Sequence, residues 1–213
     1  MFLTTFGKSV SVSVLRQKRK SIMIRVQANR IVVCAPTRVG TDTIAAALEG
    51  RRGWVEGQLA RQAADADVTA PLNAFRQILA GGVFYPIERL AAEGFSPDKT
   101  GVLQFYRRGF ASLADKLTLL ADRHGFVFSG RVRWSDAKTH WGSCNRAGRI
   151  ALNFRVLMLP PELADYILLH ELVHTVHLHH QKPFWEALGA LMPDYRARKK
   201  ALRDRRYLMD VYR

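Results

Sequence analysis

His170, Glu171 and His174 are the residues best placed to do chemistry, in the run His170-Glu171-Leu172-Val173-His174. Two histidines at i and i+4 on a helix face the same way and can grip one metal ion from adjacent turns. The glutamate between them sits where it can take a proton from a metal-bound water, which is the apparatus of a zinc-dependent hydrolase, most often a peptidase. Five of the seven histidines fall between His170 and His180, so histidine usage is local.

A tetrahedral catalytic zinc takes three protein ligands and leaves one position open. Three residues compete to be the third ligand. His180 follows His174 by six residues, and Pro183 pushes Lys182 out of helical geometry, so the chain turns there and carries His180 back over the metal. His177 continues the same polar stripe one turn further along, and Glu186 on the next helix is an acidic alternative. The expected cofactor is one zinc ion per chain.

These residues need a rigid helix. Pro160 and Pro161 suit a first turn, where a missing N–H costs nothing. The helix they open is expected to run through Leu178. Leu163, Ile167, Leu168, Leu169, Leu172 and Val173 make it apolar on most sides and hence buried, so its imidazoles need partners. Further helices are expected from near Pro183 and over about Tyr195 to Arg203. Upstream, Val132 to Ser135 and Ile150 to Phe154 read as strands with a loop between them, and Leu103 to His124 reads as an amphipathic helix ending at Gly125. Val83 to Ile87 is a short strand.

The N-terminal part reads differently. Val10 to Val14, Ile22 to Val26 and Ile31 to Val33 alternate, which predicts an antiparallel three-stranded meander with Ala28-Asn29 at one turn. A helix follows from about Thr43 to Ala64, with Trp54 anchoring its inner face. Asp65 to Pro71 is small, polar and ends in proline, which sets the expected boundary between a lobe at 1–68 and a catalytic domain at 69–213.

The 213 residues are 48% hydrophobic, enough for a folded core. Two cysteines make no disulfide framework, no apolar run reaches membrane-spanning length, and the start shows no signal-peptide pattern. The expected compartment is therefore the cytoplasm, without membrane contact; the oligomeric state is not legible. The net charge of +15 attracts polyanions and acidic substrates. Seven positives between Arg196 and Arg206 predict weak, salt-sensitive, sequence-independent binding of nucleic acid.

The run His170-Glu171-Leu172-Val173-His174-x-x-His177-Leu178-x-His180-x-x-x-Phe184-Trp185 resembles the YgjP-like metallopeptidase family, relatives of the SprT-like zincins. Trp141-Gly142-Ser143-Cys144 resembles that family's Trp-Gly-Ser-Cys signature, and Ile150 to Asn153, Pro160-Pro161-Glu162 and Pro193-Asp194-Tyr195-Arg196 also fit. The resemblance implies an α+β fold with a zincin-like core, in which the active helix packs on a small mixed sheet, preceded by an N-terminal antiparallel β lobe and helix. It implies zinc ligands His170, His174 and His180, with Glu171 as catalytic base. It implies an edge strand that pairs with an extended peptide or protein substrate, here placed at Ile150, Ala151, Leu152 and Asn153, with Trp141 as a cleft wall. Tyr195 is a candidate hydrogen-bond donor to the oxyanion. The chain departs from the family in having His179-His180-Gln181 where Asn-His-Ser is usual, and His140 where an arginine commonly precedes Trp-Gly-Ser-Cys. The leading expectation is a zinc metallopeptidase. A metal-dependent nucleotide pyrophosphatase or phosphohydrolase, and a nucleic-acid-associated protease or binding module, are the alternatives.

Overall fold

The computed structural model describes residues 2–5, 8–27 and 30–212. The chain divides into two compact units, Met1–Val68 and Thr69–Arg213.

The first unit carries four strands, β1 (Phe2–Thr5), β2 (Lys8–Gln17), β3 (Met23–Gln27) and β4 (Arg30–Pro36), in the order β1-β2-β4-β3. The expected antiparallel meander is corrected here: β2 pairs with β4 in parallel, and β3 takes the edge, antiparallel to β4. The reason lies in β4. Ile31, Val33, Cys34 and Ala35 bury it on both faces, and a strand apolar on both faces belongs inside a sheet. The Ala28-Asn29 turn lies outside the described residues. The single helix expected after the sheet is two, α1 (Thr41–Glu49) and α2 (Arg52–Asn73), separated at Gly50. Ile44, Leu48, Val55 and Leu59 bury against Ile31 and Val33 as their spacing predicts, but Trp54 is half exposed. The two units part between Val68 and Thr69, inside the stretch Asp65 to Pro71, which is itself helical because Ala63, Ala64, Ala66 and Ala70 favour helix and Pro71 falls only in the last turn.

In the second unit, β5 (Gln77–Ala80) and β6 (Val83–Pro86) form a hairpin turned by Gly81 and Gly82, whose φ of 59° and 82° only glycine adopts freely. A short helix α3 (Arg89–Ala92) precedes α4 (Lys99–His124). The Asp98 carboxylate caps α4 by accepting from the Gly101 N–H at 3.0 Å. Three strands follow, β7 (Val132–Ser135), β8 (Gly142–Cys144) and β9 (Ile150–Asn153), then α5 (Pro161–Val173), α6 (Lys182–Leu191) and α7 (Tyr195–Asp204). Strand order is β7-β9-β8, with β7 parallel and β8 antiparallel to β9. This is the expected α+β arrangement, a buried helix α5 beside a small mixed sheet.

Leu168, Leu172 and Val173 of α5 are fully buried, so apolar packing fixes the helix in place. Behind the sheet, Arg155 is also fully buried. Its Nε donates to the Val211 carbonyl at 2.9 Å, and its guanidinium pairs with Asp136. The chain's end is thereby tied to the loop after β7.

Candidate metal centre

The apolar faces of α5 hold it in the core, and that leaves His170 and His174 one turn apart on its remaining face. The helix ends at Val173, not at Leu178 as expected. Two local bonds take over there. Thr175 Oγ1 donates to the Leu172 carbonyl at 2.7 Å, and His174 Nδ1 meets the His177 carbonyl at 2.9 Å. The chain then turns, and α6 opens at Lys182, which is helical and not pushed out of helical geometry as expected, because Pro183 sits in the first turn where its missing N–H costs nothing.

The turn brings His180 back. Its Nε2 lies 3.0 Å from the Nε2 of His174 and 3.0 Å from the Nε2 of His170. A ring nitrogen carries either a proton or a lone pair in its plane, never both. Three converging nitrogens therefore satisfy at most one hydrogen bond among themselves, whereas a cation at their centre satisfies all three. His174 fits that role in its tautomer as well. Its Nδ1–H donates to the His177 carbonyl, which leaves Nε2 with its lone pair facing the cluster. Burial pushes the His170 imidazole down to about 3, with the neighbouring His174, His180 and Lys199 charges acting the same way. His174 and His180 are lowered too, chiefly by burial. All three rings thus keep the lone pairs a metal needs. The three-histidine group fits a metal ion.

The other two candidate ligands sit elsewhere. His177 contributes its backbone carbonyl to His174 and not its ring to the cluster. Glu186 is exposed and pairs with Lys182 at 3.5 Å. The position of His180 is fixed from behind, where Trp185 stacks on it at 5.4 Å and donates Nε1–H to its carbonyl at 3.1 Å.

Glu171 lines a cleft of about 460 Å³ together with the three histidines. It is buried, and its Oε2 has no hydrogen-bond partner among the described residues. Burial raises its carboxyl to about 8. The facing wall is Trp141, Gly142, Ser143 and Cys144. Burial, reinforced by Glu171, pushes the Cys144 thiol up to about 11, so it is no thiolate nucleophile at neutral pH.

Two calls about this wall are corrected. Residues Ile150, Ala151, Leu152 and Asn153 form the central strand, paired on both sides, so β9 has no free edge for a peptide. The strand next to the cleft is β8, an edge strand that the sequence reads as loop, since Gly-Ser-Cys carries no β-branched residue. Asn153 serves the site indirectly. Its Nδ2 donates to the carbonyls of Ala137 at 2.8 Å and His140 at 3.3 Å, and its N–H to that of Trp141 at 2.8 Å. Tyr195 stacks on Trp185 at 5.5 Å and does not line the cleft. The tyrosine that does is Tyr166, one turn before His170, with ring centroids 5.7 Å apart. Burial holds its phenol protonated, up at about 12. The sequence reading passes over Tyr166; its place four residues before His170, on the same face of the helix, is the signal that would have found it.

Among known proteins, residues 96–205, just over half of the chain, match the family described as YgjP-like, metallopeptidase domain. No curated protein and no solved structure matched. No helix among the described residues is long and apolar enough to cross a membrane.

Proposed function

The chain belongs to the YgjP-like metallopeptidase family, and we propose that it is a zinc-dependent peptidase whose metal is held by His170, His174 and His180. The observation that carries this reading is the convergence of three imidazole nitrogens, 3.0 Å apart in two pairs, beside the buried carboxylate of Glu171. Zinc, when bound, supplies a Lewis acid that polarises the scissile carbonyl and brings the pKa of water down to about 7. Three nitrogen donors and no thiolate suit that metal.

The chain's own residues do the rest. Glu171 accepts the proton of the attacking water on its carboxylate and later returns it to the leaving nitrogen. Burial raises this carboxyl to about 8, and a cation held by the triad would lower it again, toward the ionised form that accepts a proton. Tyr166, protonated and facing the cleft, is placed to donate to the oxygen on which negative charge develops. The edge of β8 offers backbone groups to an extended substrate, which gives affinity with little side-chain selectivity.

The test is cleavage of an unstructured protein by the zinc-loaded enzyme. Chelation should abolish it and zinc should restore it. Turnover of nucleotides without peptide cleavage would instead assign a phosphohydrolase.

A further inference from the structure

A second groove, of about 510 Å³, adjoins the cleft, and Trp141 and Leu202 line both. Its other walls are cationic: Arg196, Lys199, Lys200, Arg203 and Arg206. The first four lie at i, i+3, i+4 and i+7 of α7, so they form one stripe on one helix face. None of the five is ion-paired among the described residues, whereas their neighbour Arg198 is already engaged by Asp194 at 2.8 Å and by the Glu162 carbonyl. A face of unpaired like charges is self-repelling, and a concave wall concentrates its field. The stripe also reaches the metal centre: Lys199 Nζ sits 4.0 Å over the Trp185 ring, which stacks on His180.

We infer that this groove receives an acidic stretch of the polypeptide substrate where it leaves the cleft past Trp141, so that the enzyme selects chains with clustered Asp or Glu on one flank of the scissile bond. The inference rests on the peptidase reading. The joined walls carry it: what enters the groove is the continuation of what occupies the cleft. Positions 196 to 203 span roughly 10 Å of helix, which matches about three residues of extended chain. A short acidic cluster therefore meets the whole stripe. Backbone pairing along β8 reads no side chains, so charge is the property left to discriminate.

The test measures binding and cleavage separately on the zinc-loaded full chain. Binding is read by anisotropy with three fluorescent peptides sharing a neutral centre and flanked by Glu, Gln or Lys, and with a single-stranded oligonucleotide of equal charge to the Glu peptide. The Glu peptide should bind at least about tenfold more tightly than the Gln peptide at low salt, with the difference fading as the screening length falls from ~10 Å at 0.1 M to ~3 Å at 1 M salt. The double variant Lys200→Glu/Arg203→Glu should lose that preference, binding the Glu peptide no more tightly than the Gln peptide at low salt. Equal binding of the Glu and Gln peptides overturns the inference, as does tighter binding of the oligonucleotide, which would make the groove a nucleic-acid surface. Failure of the peptidase reading shows differently, as absence of cleavage of every peptide with zinc bound.

Discussion

Gly142 lies so close to Glu171 that a methyl group on its Cα would stand 2.6 Å from Oε1 and 2.8 Å from Cγ. The carboxylate of the central helix is therefore pressed against the edge strand, and only a residue without a side chain admits that approach. Gly142→Ala should displace the Glu171 carboxylate while leaving the histidines in place. A displacement of about 1 Å can cost on the order of 10²-fold in rate. The expected result is a fall of that size in kcat with full zinc content, and a destabilisation of roughly 1–3 kcal/mol from overpacking. Wild-type kcat in a folded Gly142→Ala protein would show that the carboxylate position is not critical.

Glu171→Gln keeps nearly the same volume and removes the proton acceptor. Zinc content, read by elemental analysis, should stay at the wild-type value. Hydrolysis should drop by about 10²–10⁴-fold, the usual loss with a general base. Activity within a few-fold of wild type would remove Glu171 from the mechanism.

Without metal, the same carboxyl makes stability depend on pH. Its folded value, raised by burial to about 8, exceeds the unfolded value near 4.5. The folded protein thus holds a proton that the unfolded chain releases, so this contribution is complete at low pH and is lost as pH rises through about 8. His170, lowered to about 3 from 6.5, acts in the opposite sense and only below pH 6.5. Between pH 6.5 and 8 the Glu171 effect stands alone. The Tm of the metal-free protein should fall across that window, and the metal-free Glu171→Gln protein should show a flatter profile. Parallel profiles would contradict the assignment.

His180→Ala should lose most of the zinc at stoichiometric loading while far-ultraviolet circular dichroism stays unchanged, since His180 is exposed and packs on the outside of the site. His177→Ala and Glu186→Ala should retain it, because neither ring nor carboxylate reaches the cluster. Full occupancy in His180→Ala would transfer the third ligand position to one of those two.

Much of this centre was legible in the sequence because its signals are local. The i, i+4 histidine pair, the apolar faces of α5 and the proline in the first turn of α6 all lie between Pro160 and Pro183. What stayed hidden depends on partners far along the chain. Alternation in Ile150 to Asn153 shows a strand but not how many neighbours it has, and its second neighbour is a three-residue strand with no β-forming side chains. The parallel pairing of β2 with β4 was hidden for a related reason: adjacent strands favour hairpins, and only the two-faced burial of β4 forces it between them. The requirement for Gly142 becomes visible only once Glu171 packs over it. Likewise, past Val173 the Thr175 hydroxyl and the His174 ring bind local carbonyls in place of a continuing helix, contacts that no propensity scale encodes.

The proposed triad takes His170 from the last turn of a buried helix, His174 from the cap that ends it, and His180 from an exposed turn seven residues beyond the helix's last residue. The helix pair is a preformed bidentate seat, whereas His180 is a clasp. With a metal on this proposed triad, entry and exit would require His180 to swing away, and the stiffness of residues 175–181 would then help set the exchange rate. The clasp, once shut, ties that turn to the core as a crosslink would, and protease resistance of the turn becomes a readout of metal occupancy that needs no substrate.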